Sequence, residues 1–302
     1  MKTEQIKALE TVLEGLMREY SKRVPNVSKT ASAMIEAGII DSAADIENDH
    51  IAFRTMGVEQ LGIKSFEKIF KYYGYEKRDY FYFESKKLNA FWFSPPEPHY
   101  PRIFVSELIV DALSAESQSI ISKYTNQVKS DPVDDLDLND GYAVADFLHK
   151  PLWETPTWQD YETLLKESEY AAWVIYNRYY LNHYTISVHN LGSGFGDLAK
   201  FNALIEAAGV KLNDAGGKIK ISPDGGLLQS ASVAEMVDAT FADGSVHSIA
   251  GSYVEFAERR VLPAFSHLQP SEIQRIHRRE GFETGNADKI FESTFTTQTS
   301  NK

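Results

Sequence analysis

The sequence predicts an α+β protein built from two tandem βαβββ modules, with helices at the N-terminus and in mid-chain. Three observations lead there. The order strand, helix, three strands occurs twice along the 302 residues; a mostly helical stretch separates the two occurrences; and a histidine stands in the first strand of each. The length exceeds that of a typical single domain, which fits two units or one unit made by duplication.

Residues 1–40 read as N-terminal helices. Ile6, Leu9, Val12, Leu13, Leu16, Met17 and Tyr20 form a stripe at three- and four-residue spacing, and a second helix over roughly Lys29 to Ala37 stops at Gly38. Residues 41–112 read as the first module: "DHIAFRT" is a strand, "SFEKIFKYYGY" a helix closed by Gly74, "YFYFESKKLNAFWFSPP" a hairpin and "RIFVSELIV" a further strand. Residues 113–177 are a helical insertion, in which Thr157 is a candidate N-cap with Asp160 three residues on. Residues 178–262 repeat the first order. "HYTISVHNL" is a strand and "GDLAKFNALIEAAGV" a helix, while "GLLQSASVAEMVDATFADG" and "SVHSIAGSYVEFAERRV" are strands joined at an Asp243-Gly244 turn. Residues 263–302 form a C-terminal segment whose end, "TTQTSNK", looks loose.

Composition narrows the function. A formal charge of −12 disfavours nucleic acid and anionic lipid as partners, so an anionic small substrate would need a local cationic pocket. The chain has no cysteine, which excludes thiolate catalysis, zinc-thiolate sites and iron-sulfur clusters; a metal must use imidazole and carboxylate. There is no 18-residue apolar run, and the charged, amphipathic first helix does not read as a signal peptide. The expectation is a soluble, cytoplasmic protein.

In a strand, side chains two apart share a face. His50, Ala52 and Arg54 therefore point one way; so do His183, Thr185, Ser187 and His189, and likewise Tyr253, Glu255, Ala257 and Arg259. Three polar stripes of this kind need partners if they are buried. Two histidines and one carboxylate on a face of a cleft make a metal site with open positions, and this donor set suits Fe(II), Mn(II), Zn(II) or Ni(II) alike. His50, His183 and Glu255 are the leading ligands because His50 and His183 occupy the same place in the two modules. Glu107, read as the first-module counterpart of Glu255, is a candidate fourth ligand. His189 and His247 are alternates that break the repeat. Arg54, about 13 Å from His50 between Cα atoms at roughly 3.3 Å per residue, can fold back to hold a ligand's carboxylate, or else pair with Asp49 or Glu47. "NLGSGFGDLAKF" offers glycines between strand and helix, but their spacing misses the dinucleotide-binding pattern. No serine-hydrolase, zincin or P-loop pattern is present.

The runs "NDHIAFRT", "NHYTISVH", "GGLLQSASVAE" and "YVEFAERR", in this order, resemble the 2-oxoadipate dioxygenase/decarboxylase family, also called D-2-hydroxyglutarate synthase. The resemblance runs from about residue 40 to the C-terminus, through "GFETGNADKIFEST". It implies the glyoxalase-like fold of the vicinal oxygen chelate superfamily, with βαβββ modules forming a sheet-lined metal cleft. It also implies His50, His183 and Glu255 as ligands of Fe(II), Arg54 as the arginine for the substrate carboxylate, and Gln229 and Ser230 near the pocket. Arg259 is a further candidate substrate contact. The implied reaction turns 2-oxoadipate, or a similar 2-oxo dicarboxylate, and O2 into D-2-hydroxyglutarate and CO2, in lysine breakdown. The chain is similar to the shorter branch of that family, which bears on how the pocket is closed by C-terminal sequence. A glyoxalase-like lyase or isomerase with four protein ligands, and a binding protein without turnover, are the competing expectations.

Overall fold

The computed structural model describes residues 3–192 and 194–300. Helices α1 (Thr3–Arg23) and α2 (Pro25–Glu36) come first. The second begins earlier than its periodicity indicates because Pro25 opens it, where a missing N–H costs no hydrogen bond. Next come β1 (Asn48–Met56), α3 (Ile63–Tyr72), β2 (Glu76–Phe83), β3 (Leu88–Ser94) and β4 (Arg102–Leu108). The insertion holds α4 (Ala115–Thr125), α5 (Gly141–His149), α6 (Trp158–Glu167) and α7 (Glu169–Asn177). Thr157 does cap α6 by accepting from Asp160 N, but the helix then breaks at Ser168, whose hydroxyl caps α7 through Ala171 N.

The second unit comprises β5 (Leu181–Ser187), α8 (Leu198–Ala207), β6 (Lys220–Ile221), β7 (Leu227–Ala231), β8 (Met236–Thr240), β9 (Val246–Ala250) and β10 (Tyr253–Arg259). Two runs expected as single strands each split in two. β7 and β10 are buried throughout and stay in the main sheet, whereas β8 and β9 are largely exposed and leave it as a separate two-stranded ribbon. β10 keeps Glu255, Glu258 and Arg259 inside the sheet because each is hydrogen-bonded there. The turn at Asp243-Gly244 joins that ribbon, as expected, and the short β6 supplies the remaining strand of the sheet.

The main sheet has eight strands in the order β2-β3-β4-β1-β5-β10-β7-β6 and curls around a cleft. The order reads as two copies of one pattern. β1 lies parallel to β4 and β5 parallel to β10, with the two copies joined by the antiparallel pair β1–β5. This is the α+β tandem architecture that the sequence predicts. Helices α3 and α8 cover corresponding places on the outer face: Phe53 meets Phe66 of α3 at 4.8 Å between ring centroids, and Phe256 meets Phe201 of α8 at 5.1 Å. The centre of that face is covered by α1, where Tyr20 meets Tyr184 at 5.5 Å. Among the described residues, no helix is long and apolar enough to cross a membrane.

Register corrects one expectation. His50 pairs with Arg102 and His183 with Tyr253, so the counterpart of Glu255 in the first copy is Phe104, not Glu107. Glu107 corresponds to Glu258, and the two do the same work. Glu107 accepts from Ile63 N at the start of α3, and Glu258 accepts from Leu198 N at the start of α8, both at 2.9 Å. A carboxylate there satisfies an otherwise unpaired N–H and meets the positive end of the helix dipole.

After β10 the chain passes through short 3-10 turns to α9 (Thr284–Phe291) and α10 (Thr296–Thr299), which return across the cleft side. The tail is less loose than expected as far as residue 300: Lys211 donates to Gln298 O, and Gln298 Oε1 accepts from Asp214 N. Asn301 and Lys302 lie outside the described residues.

Replacing Glu107 or Glu258 by Ala should lower stability by about 1 kcal/mol each, and the double variant should lose about the sum because the sites are separate. Urea denaturation measures this; a much larger loss for Glu107 alone would contradict the equivalence.

Candidate metal centre

Period-two alternation sends Asp49 and His50 to opposite faces, and the structure shows how that is overcome. The pairing of β1 with β5 slips at two places: once between Asn48 and His50, leaving Asp49 unpaired, and once between Ala52 and Phe53, leaving Asn182 unpaired. A bulge re-aims the side chains around it. Here each bulged residue precedes a histidine and holds its ring: Asp49 Oδ2 takes His50 Nδ1 at 2.9 Å, and Asn182 Oδ1 takes His183 Nδ1 at 3.0 Å. A ring that donates from Nδ1 presents an unprotonated Nε2, the form that binds a metal.

Both Nε2 atoms face one oxygen of Glu255. His183 Nε2 lies 3.1 Å and His50 Nε2 3.5 Å from Glu255 Oε2. Among the described residues these three form a group whose ligand atoms all lie within 4.8 Å of one another, and all three are buried. The other carboxylate oxygen, Oε1, accepts from Gln229 Nε2 at 2.7 Å, and Gln229 Oε1 in turn accepts from Asn286 of α9 at 3.0 Å. Burial alone would raise the Glu255 carboxyl, but the two imidazoles hold it down at about 2. Burial pushes His183 down; at His50 the same burial is outweighed by Glu255 and Asp49, which raise it. Two imidazoles and a carboxylate, oriented from behind and converging, fit a divalent metal ion.

Asp49 carries more than a ring. Its carboxylate pairs with Arg259 (Nε to Oδ1 2.6 Å, Nη2 to Oδ2 2.9 Å) and with Arg102 (Nη1 to Oδ1 3.1 Å). Burial opposes its charge, but these guanidiniums hold the carboxyl well below the usual range.

A narrow cavity of about 20 Å³ adjoins the triad. Its wall includes Arg54 on β1, Phe104 and Ser106 on β4, Gln229 on β7 and Tyr253 on β10. Phe282, Ala287, Ile290 and Phe291 of the C-terminal segment close it. Arg54 is 1% exposed, and no carboxylate of the described residues pairs with it, so the expected alternative of a salt bridge to Asp49 or Glu47 is not what forms. Its donors reach Thr294 Oγ1 at 2.9 Å and the Phe291 carbonyl at 3.1 Å, and its Nε has no partner. The Tyr253 hydroxyl lies beside it at the same cavity. A buried, unpaired guanidinium is costly, and an anionic ligand group in the cavity relieves that cost.

The remaining sequence candidates lie elsewhere. Ser230 faces the other side of β7 and donates to Asn202 Oδ1 at 2.7 Å. Arg259 is committed to Asp49 and to the carbonyls of Arg279 and Gly281, which gives it a structural task in place of a contact in this cavity. His189 Nδ1 accepts from Arg259 N at 3.2 Å, and burial pushes it down to about 4. His247 sits in the ribbon, stacked on Trp158 at 3.7 Å between centroids. Glu107 caps α3. Sequence reasoning missed Asp49, Asn182 and the closing residues 282–294. The repeated Asx-His dipeptide was the available signal for the first two, and the apolar spacing of Phe282, Ile290 and Phe291 for the third.

Fold and site together define a protein of tandem βαβββ fold with a buried His-His-Glu group beside a cavity that holds an arginine. A family model for 2-oxoadipate dioxygenase/decarboxylase matches residues 12–270. A chloroplastic 2-oxoadipate dioxygenase/decarboxylase of Arabidopsis thaliana is 47% identical over 98% of this chain and 81% of its own length. The crystal structure of hydroxyglutarate synthase from Oryza sativa in complex with 2-oxoadipate superposes with a TM-score of 0.90 at 43% identity, covering 99% of this chain and 95% of that one. A Ralstonia eutropha protein assigned to the glyoxalase superfamily, 22% identical with a TM-score of 0.67 over 91% of this chain and 85% of its own, shares the fold. The chain belongs to the 2-oxoadipate dioxygenase/decarboxylase family.

Replacing Asp49 by Ala leaves the buried Arg259 without its carboxylate, while Arg102 keeps Glu280, and should cost about 3–5 kcal/mol; Asn182→Ala, which removes only one hydrogen bond, should cost about 1 kcal/mol. Chemical denaturation of the two variants checks the contrast; equal losses would contradict it.

Proposed function

We propose that this chain is an Fe(II)-dependent dioxygenase that converts 2-oxoadipate, or a closely similar 2-oxo dicarboxylate, and O2 into D-2-hydroxyglutarate and CO2, a step of lysine breakdown. The observation that carries this reading is the meeting, at one buried cavity, of a His-His-Glu group with a buried arginine that has no carboxylate partner among the described residues. His50, His183 and Glu255 are the proposed ligands and Arg54 the proposed partner of the distal carboxylate. Bound there, ferrous iron would supply a redox-active Lewis acid with positions left open for a 2-oxo acid and O2.

The protein's own part is arrangement. Asp49 and Asn182 keep each imidazole in the ligating tautomer. Gln229 occupies Oε1 of Glu255 and so favours ligation through Oε2 alone, which preserves open positions. Arg54 fixes the far end of a dicarboxylate, with its planar fork matched to the carboxylate, and the Tyr253 hydroxyl is placed to add a hydrogen bond. Phe104, Phe282, Ile290 and Phe291 keep bulk water from the reacting carbons. Because oxidative decarboxylation draws two electrons from the 2-oxo acid itself, no nicotinamide is required.

The four-ligand alternative, a glyoxalase-like lyase or isomerase, is disfavoured by Phe104. It stands where the first copy would need its second carboxylate, and it cannot ligate.

Oxygen-electrode assays with Fe(II) and 2-oxoadipate should show one CO2 released per O2 consumed. His183→Ala should abolish uptake together with tight metal binding, and Arg54→Ala should retain metal while kcat/KM falls by about 100-fold or more, the loss of a charge-assisted bidentate contact. A metal-loaded wild-type protein that consumes no O2 with any 2-oxo dicarboxylate would overturn the proposal.

A further inference from the structure

The site described above is closed: His50 is 2% exposed, Arg54 1% and Glu255 1%. A ligand reaches it only by displacing part of the wall. Most of that wall is strand or packed aromatic side chain, including Phe104, Phe282 and Phe291. The exception lies at the Asp49 end of β1.

There a second cavity, of about 300 Å³, is lined by Asp49, Arg102, Arg259, Arg275 and Arg278. Four arginines meet there, opposed in the lining by Glu47 and Asp49 only, in a chain whose net charge is −12. This is the local cationic pocket that an anionic substrate requires against so acidic a background. The two cavities share a partition: Asp49 bonds His50 on one side and Arg259 and Arg102 on the other.

Glu280 holds Arg102 of that partition from outside both cavities. Its carboxylate grips Arg102 through Nη2 to Oε2 at 2.7 Å and through Nε to Oε1, yet its side chain is 44% exposed while that of Arg102 is 3% exposed. Glu280 also ends a stretch without long elements, carrying 3-10 turns at Pro263–Phe265, Pro270–Glu272 and Arg275–His277. Two residues on, Phe282 lies over the His50 ring at 4.8 Å between centroids, so movement of Glu280 bears directly on the cover of the triad.

We infer that this arginine-lined cavity is the entrance to the buried site and a binding station for carboxylate anions, with the incoming carboxylate taking the place of Glu280 on Arg102. Exchange of one carboxylate for another keeps the buried guanidinium paired throughout, so the entrance opens without leaving an uncompensated charge. Arg278 gives Nη1 to the Arg259 carbonyl, and Arg275 gives Nη1 to the carbonyls of Pro98 and Tyr100 while its Nε lies 3.7 Å from Glu280 Oε2; both add positive charge at the mouth, and displacement of Glu280 frees Arg275 as well. That the anion in transit is a 2-oxo dicarboxylate rests on the function proposed above; that the cavity takes carboxylates does not.

The test is calorimetric titration of the purified protein with adipate, a dicarboxylate lacking the 2-oxo group, at low ionic strength. Glu280→Gln should tighten adipate binding at least threefold by freeing Arg102, and Arg278→Glu should weaken it by a similar factor, with both differences shrinking at about 0.5 M salt. Arg54→Ala should still bind adipate, since the station lies outside the inner cavity; Glu280→Gln and Arg278→Glu, both at partly exposed positions, carry the test if that variant does not fold. Equal affinities in wild type, Glu280→Gln and Arg278→Glu would overturn the inference. If 2-oxoadipate oxidation were absent while the adipate series behaved as stated, the entrance would stand and the proposed reaction would fall.

Discussion

Everything in this structure turns on three lone-pair-bearing atoms held together in the dark of the sheet: His50 Nε2, His183 Nε2 and a Glu255 oxygen, within 4.8 Å of one another. Such atoms repel unless a cation or a proton sits between them. The protein makes no attempt to avoid that conflict. Each imidazole is oriented from behind, each by a neighbour on its own strand, and the spare oxygen of Glu255 is occupied by Gln229. Such a donor set is costly as a core and well suited to a divalent ion, which is why the geometry points to metal chemistry before any relative is considered.

The duplicated sheet explains how so unusual a group forms from ordinary strands. β1 and β5 meet as an antiparallel pair, and each carries one bulge immediately before its histidine. Two small irregularities therefore aim both rings into the same cleft. The copies have also diverged where chemistry demands it. Glu255 and Phe104 occupy matching positions, so one copy contributes a carboxylate and the other contributes apolar wall, which leaves three donor side chains beside the cavity. Asp49 and Asn182 have diverged likewise. The charged member is tied into a buried arginine pair, and the neutral one holds only its ring.

Period-two alternation was enough to put His50 with Arg54 and Glu255 on a polar stripe of its own strand, because β1 beyond its bulge and β10 alternate regularly, whereas His183 stood out by its place in the repeat. It failed where regularity fails. The bulges hid Asp49 and Asn182, since alternation sends each to the face opposite its histidine. Glu107 was misread because strand equivalence depends on register, and register is fixed by pairing across the sheet and not by position along the chain. The strand text of residues 227–259 concealed a break into sheet and ribbon that only burial distinguishes. Closure by residues 282–294 depends on contacts more than two hundred residues apart in sequence, such as Arg54 with Thr294, and local patterning does not carry them.

The most direct measurement is diffraction from crystals grown without oxygen, loaded with Fe(II) and soaked with 2-oxoadipate, with data collected at the iron edge. The account predicts a single iron peak bound by His50 Nε2, His183 Nε2 and Glu255 Oε2, with the distal carboxylate of the ligand on the Arg54 guanidinium. An iron peak elsewhere, or a ligand whose distal carboxylate lies away from Arg54, would contradict it.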